Sequence, residues 1–229
     1  MQTVKLSELV FDFDLYPRGD VDSQHVHYMR ESLQAGVKLP PMIVDKKSKR
    51  VVDGFHRGRA YKAEQGDDAI VEVVLKTYHS EAAMFEDAMR FNSAHGRALN
   101  SFDKSKCIIR AELLGLTVEQ TAAALCLTCE AVGKLRTGRV GKLRATSVKG
   151  ELQAAEEIPL KRTIAHMAGM TLTRGQVEAN GKLGGMNQAF YANQLIVLIE
   201  SNLLDKEDEK LIERLRVLHG LLETLLVAV

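Results

Sequence analysis

Short β-type apolar runs and helical spacings alternate over the first hundred positions. Residues 3–10 predict a strand leading into a turn. Val26, Met29 and Leu33 recur at helical spacing and predict a helix over 22–35, with Gly36 suited to its C-terminus. Residues 42–45 and 50–53 predict two strands, and the polar Lys46-Lys47-Ser48-Lys49 between them predicts a hairpin. A helix over 55–65 ends at Gly66, the β-branched stretch 70–78 predicts a strand, and Ser80 caps a helix to about Asn92. This pattern is an α+β unit.

Beyond it the periodicity becomes helical. A helix is predicted from Asp103 to Leu114, and Thr117 with Gln120 three residues on fits a capping box. That helix runs to Leu125, residues 126–128 make a turn, and Thr128 caps a further helix to about Thr137. Val132-Gly-Lys-Leu-Arg136 recurs as Val140-Gly-Lys-Leu-Arg144, too few copies for a repeat architecture. Residues 150–185 predict one or two helices, one over 159–167, with Gly-rich joints. Residues 187–202 form an apolar helix, and Leu211, Leu215, Leu218, Leu222 and Leu225 draw a heptad-like seam on the last one. Two readings of that seam stand open: a hairpin closing on itself, or self-association into a homodimer.

Composition is that of a globular chain, 45% hydrophobic and 27% charged in 229 residues. No apolar run approaches the ~20 residues that span a bilayer, and Met1-Gln2-Thr3-Val4-Lys5 has no signal-peptide pattern. With three cysteines, Cys107, Cys126 and Cys129, these features predict a cytoplasmic protein with reduced thiols and no membrane partner. Cys126-Leu-Thr-Cys129 lacks the further ligands a zinc site needs, so no metal is expected, and these cysteines are expected to pack as small apolar residues around the turn. The net charge of +1 conceals a basic block: residues 101–150 hold nine Lys/Arg against four Asp/Glu, and 132–149 hold six basic residues and no acid. Such a block attracts polyanions.

The 117–137 pattern predicts a helix-turn-helix. Ala122, Leu125, Leu127, Val132 and Leu135 point inward, and Thr128, Glu130, Lys134 and Thr137 face out where a recognition helix meets base edges. Arg136, Arg139, Lys142 and Arg144 follow, in place for phosphate contacts to double-stranded DNA.

The most chemical stretch is Val51-Val-Asp-Gly-Phe-His-Arg-Gly-Arg-Ala60. A strand ends in Asp53-Gly54, and His56, Arg57 and Arg59 follow at a helix start. Gly54 allows close backbone approach, and a helix N-terminus offers free N–H groups, so the segment predicts a phosphate site. The structural alternative is that Arg57 and His56 cap the strand end or pair with Asp53. His25 and His27 fall on different helix faces and form no ligand pair there.

Gly54-Phe55-His56-Arg57 resembles the phosphate-binding box of the ParB/sulfiredoxin superfamily, where a strand runs into a Gly-x-x-Arg turn and a helix. Tyr16-Pro17-Arg18, the passage Ser32-Leu33 to Gly36 with Pro40-Pro41-Met42-Ile43-Val44, and Phe91-Asn92 to His95-Gly96 with Leu99 and Asp103 resemble its other boxes in order. The resemblance covers about residues 3–140. It implies a ParB/sulfiredoxin-like domain over 1–98, a helix-turn-helix domain over 99–148 and a helical C-terminal region over 149–229. It further implies a nucleoside triphosphate, with Gly54, His56 and Arg57 on its phosphates, Arg59 nearby, Arg18 closing from the opposite side, and Asn92 helping to hold Mg2+. His95 beside the Asn box is placed to reach phosphate or act as a base. The chain departs from ParB at Phe55 and His56, where ParB has Glu and Arg, at Phe91, where it has Glu, and at Leu39 or Pro40, where it has Gln; Phe55 also stands where sulfiredoxin needs its cysteine. The function this implies is a ParB-like DNA-binding protein of partition, plasmid or phage maintenance, or transcription control. The alternative is an enzyme on the same scaffold: a nucleotide hydrolase, a small-molecule kinase or a nuclease.

Overall fold

In the computed structural model, which describes residues 2–94, 98–144, 147–148, 151–152 and 155–227, the neighbours Val51 and Val52 are both fully buried. Successive strand side chains point to opposite faces, so the sheet that holds them is covered on both sides. Its strands are β1 (Gln2–Lys5), β2 (Met42–Asp45), β3 (Val51–Asp53) and β4 (Ile70–Lys76), in the order β1-β4-β2-β3. β4 runs antiparallel to β1 and parallel to β2, and β2 and β3 form the expected hairpin. Asp45 locks its turn by accepting from the Ser48 N–H and hydroxyl at 2.7 and 2.6 Å.

Two helices flank one face. α1 (Ser23–Gln34) packs on α2 (Phe55–Gln65), where Arg30 and Gln34 both reach Glu64 at 2.7 and 2.9 Å. Val51 joins Leu6, Tyr16, Met42, Phe55 and Val73 on that side. Phe55 stacks on Tyr16 at 4.3 Å, and Phe11 and Phe13 meet Phe55 edge-on at 5.5 and 5.6 Å. Such pairs add about 0.5–1.5 kcal/mol beyond their area. The other face meets α3 (Glu81–Ala94), where Val52 packs with Met84, Phe85 and Met89.

That second cluster does not stop at the sheet. It runs on through Leu99, Cys107, Ile108, Ala122, Leu125 and Val132. These belong to α4 (Ser101–Leu113), α5 (Val118–Ala124) and α6 (Cys129–Gly138) and their junctions. Capping boxes start α4 (Asn100 with Asp103) and α5 (Thr117 with Gln120), and the Thr128 hydroxyl caps α6 by accepting from Ala131 N–H at 3.1 Å. Burial pushes the Cys107 thiol up to about 12, so it is an inert packing group. Cys126 and Cys129 are exposed, which corrects the expectation that they pack around the turn.

The region after α6 is not all-α as expected. β5 (Val140–Leu143), β8 (Glu157–Pro159) and β9 (Thr171–Leu172) form a second sheet in the order β8-β5-β9, and β6 (Ser147–Val148) pairs with β7 (Glu151–Leu152). Strand β8 and a 3-10 turn over Arg162–Met167 replace the helix expected at 159–167. Ile158, Leu160 and Leu172 form a third small core. Gly141 lets it close, because a Cβ there would lie 2.7 Å from Leu172 Cδ1. Short apolar runs broken by glycine do not separate strand from helix by periodicity. α7 (Arg174–Lys182) completes this part, and its buried Asn180 accepts from Lys161 N–H at 2.9 Å and donates to Pro159 C=O at 3.2 Å.

Residues 1–185 form one compact unit and 186–229 a second. The second comprises α8 (Gln188–Glu200) and α9 (Glu209–Val227), and neither helix buries a residue. Leu211, Leu215 and Leu218 of the seam are half-buried and Leu222 and Leu225 are exposed. α8 is apolar almost all round, so no single face of it can be satisfied by one neighbour. No described helix is long and apolar enough to cross a membrane.

Candidate anion cleft and nucleic-acid face

The β3–α2 junction has the expected strand–Gly–helix geometry, but its parts face inward. Gly54 has φ +123°, and a Cβ there would lie 2.5 Å from Met42 Cγ. The glycine is required by packing against β2. Arg57 is committed within the protein. One of its amino groups donates to Pro40 C=O and Pro41 C=O at 3.0 and 2.6 Å, and the other to Asp53 Oδ2 at 2.6 Å. With a side chain only 13% exposed, it ties the 40–41 passage to the helix start and is not free for phosphate. Arg59 lies on the exposed side of α2, away from the cleft described next.

A polar cleft of about 560 Å³ opens beside α2. Arg18, His56, the first turn of α4, Arg139, Lys161 and Arg162 line it. Of the sequence-predicted residues it therefore gathers Arg18, His56 and Arg139, and omits Gly54, Arg57, Arg59 and Asn92. Arg18 is 8% exposed, and its Nε donates to Asn92 Oδ1 at 3.3 Å. The loop that carries it is clamped to α4. Lys106 Nζ donates to the carbonyls of Phe13, Tyr16 and Arg18 at 3.4, 3.0 and 2.9 Å, and Gly19 N–H donates to Asp103 Oδ1 at 2.9 Å. Burial pushes the Lys106 ammonium below its ordinary range. Sequence reasoning missed Lys106, Lys161 and Arg162. A lysine beside buried Asp103 and Cys107 on an amphipathic helix was the one available signal.

His56 is not a cation here. Its Nε2 accepts from Asp22 N–H at 3.2 Å, its ring lies 5.0 Å from that of His25, and burial pushes its pKa down to about 4 with help from His25 and Arg18. A neutral imidazole accepting at Nε2 carries its proton on Nδ1. It shapes the cleft and fixes the start of α1, and the donor it has left is the neutral Nδ1–H. Asn92 Nδ2 donates to Ala88 C=O at 2.9 Å, so both ends of this amide are committed within the protein. No group of three or more His, Cys, Asp or Glu is placed to hold a metal ion among the described residues. The cations of the cleft suit a phosphate-bearing ligand. His95 lies outside the described residues.

α5, the turn at 125–128 and α6 present a second candidate surface. Val132 is buried, while Thr128, Glu130, Lys134 and Thr137 are exposed. Lys134 pairs with Glu130 at 2.6 Å on the solvent side, a contact weak enough to exchange for another anion. Arg136 is turned away from that surface. Its Nε donates to both Glu112 oxygens at 3.0 and 2.9 Å and its terminal amino group to Glu157 at 2.5 Å, which corrects its assignment to DNA phosphate. Lys142 and Arg144 are exposed and have no ion-pair partner among the described residues.

No protein-family model and no curated protein matches the chain. Solved structures do. The C-terminally truncated chromosome-partitioning protein ParB from Caulobacter crescentus, complexed to the centromeric parS site, is 18% identical, with 60% of this chain and 71% of that one covered and a TM-score of 0.44. The same protein complexed with CTP-gamma-S is 18% identical over 59% and 77%, with a TM-score of 0.35. A Pnob8-like ParB-N domain is 15% identical over 66% and 55%, with a TM-score of 0.38. These three structures carry the name ParB.

Proposed function

We propose that this chain is a ParB-like protein that binds double-stranded DNA, in partition, plasmid or phage maintenance, or local transcription control. Its helix-turn-helix is α5–turn–α6, and the cleft beside Arg18 takes the phosphates of a nucleotide. One observation carries the DNA reading: α6 is locked into the core through Val132 and offers solvent only Thr128, Glu130, Lys134, Thr137 and small neighbours. A capped short helix with one polar face is the shape a major groove admits. The last two helices, with Leu222 and Leu225 exposed, favour self-association into a homodimer. A strictly monomeric intact chain in sedimentation equilibrium would remove that part.

Of the six cations of the basic block, Lys134, Lys142 and Arg144 are outward among the described residues, and Lys149 lies outside those residues. Fluorescence anisotropy with duplex DNA should therefore give a log-affinity against log-salt slope of about −3 per chain. No binding at low salt, or a slope near zero, would overturn the assignment. In the enzyme reading, nucleoside triphosphate turnover would be present and lost in Arg18→Lys. Binding to DNA without turnover leaves the adaptor.

A further inference from the structure

We propose that the strand-bearing segment 139–185 completes the anion cleft, with Arg139 and Arg162 as direct ligands of a polyphosphate whose other end meets Arg18. The inference rests on the reading of that cleft as a phosphate site. It assigns half of the site to residues outside the ParB-like front unit.

Four cations border the cleft: Arg18, Arg139, Lys161 and Arg162. They are not equivalent. Lys161 is structural, its Nζ donating to Gly181 and Leu183 C=O at 2.7 and 2.5 Å and lying 5.7 Å from the Phe102 ring. It thereby fastens the end of α7 to the first turn of α4. Arg139 and Arg162 have no hydrogen-bond or ion-pair partner for their guanidinium groups among the described residues. Two guanidinium groups without protein partners lining one cleft offer forked donors to phosphate oxygens.

Three carboxylates, Asp20, Asp22 and Asp103, also border the cleft and keep their charge, one fewer than the four cations. Asp103 is spent on Gly19 and Asn100 N–H, and Asp22 on Gln24 and His25 N–H. Asp20 alone lines the cleft without a partner among the described residues. It is the charge a bound polyanion would face at a cost. The positive end of α4, a 13-residue helix, also opens into this space.

The test is calorimetric titration of the intact chain with inorganic tripolyphosphate. Arg139→Ala and Arg162→Ala should each weaken binding about tenfold. Arg18→Lys should weaken it too, and Asp20→Asn should tighten it. Unchanged melting temperatures without ligand certify the exposed variants, and the Asp20 gain keeps the test decisive if a buried-arginine variant misfolds. Binding that responds to Arg18→Lys but not to Arg139→Ala or Arg162→Ala would refute the composite site and leave the front-unit phosphate reading intact. No binding by the parent chain, or binding that none of the four changes alters, would remove both.

Discussion

Arg136→Gln separates two roles that a basic residue in the last turn of α6 can play. In the fold it bridges Glu112 on α4 and Glu157 on β8, with its side chain 31% exposed and the carboxylates 42% and 29%. A fully exposed pair contributes under about 1 kcal/mol, and a forked, half-buried bridge to two carboxylates rather more. The substitution should therefore cost about 1–2 kcal/mol. For a chain of this size that lowers the melting temperature by about 2–8 °C. The role at phosphate is read differently. Each phosphate contact contributes ~0.9 to the salt slope, so losing one changes the affinity ratio between 50 and 200 mM salt about 3.5-fold. Urea unfolding and anisotropy salt titrations on the same preparation give both numbers. Arg136→Gln should lower the urea midpoint and keep the slope, whereas Arg144→Gln should do the reverse. An Arg136→Gln protein of undiminished stability with a slope flattened by one would refute the bridge.

Gly133 lies within α6 with open space where its Cβ would be. Gly133→Ala should raise stability by about 0.5–1 kcal/mol, seen as a higher melting temperature, yet weaken duplex binding several-fold if the groove approaches this backbone; tighter binding would show that it does not. His56 titrates in the opposite sense to a salt-bridged histidine. Its folded pKa of about 4 lies below the unfolded 6.5, so the unfolded chain binds the extra proton first. Its contribution is complete above pH ~6.5 and declines as the pH falls towards 4, on the order of 2 kcal/mol after allowance for partial exposure. Urea midpoints at pH 7, 5 and 4 should show this fall, and His56→Gln should flatten it.

What was legible in the sequence was local. The Thr117–Gln120 box, the Thr128 cap, the β2–β3 hairpin and the Gly54 junction each depend on residues within four positions of one another. Arg57 illustrates the limit: its pairing with Asp53 was open as an alternative, but the Pro40 and Pro41 carbonyls that complete its shell are contributed by tertiary structure. Arg136 is the same case at longer range, with partners 24 and 21 residues away. The duplicated Val-Gly-Lys-Leu-Arg marks where local reasoning fails outright. The copy at 132–136 is helical, and in the copy at 140–144 the first four residues are strand β5. Identical residues take opposite structures because Val132 meets the helical core and Gly141 meets Leu172 and Leu160.

The apolar cluster that passes from Val52 through Met89 and Ile108 to Val132 has a consequence for engineering and for inheritance. Residues 99–138 are no detachable cassette. Grafted elsewhere, they would carry a raw apolar flank, and the stub left behind would expose its counterpart. Helices α4 to α6 and the sheet behind them should melt together, share their slowest-exchanging amides, and be recombined by evolution only as one block.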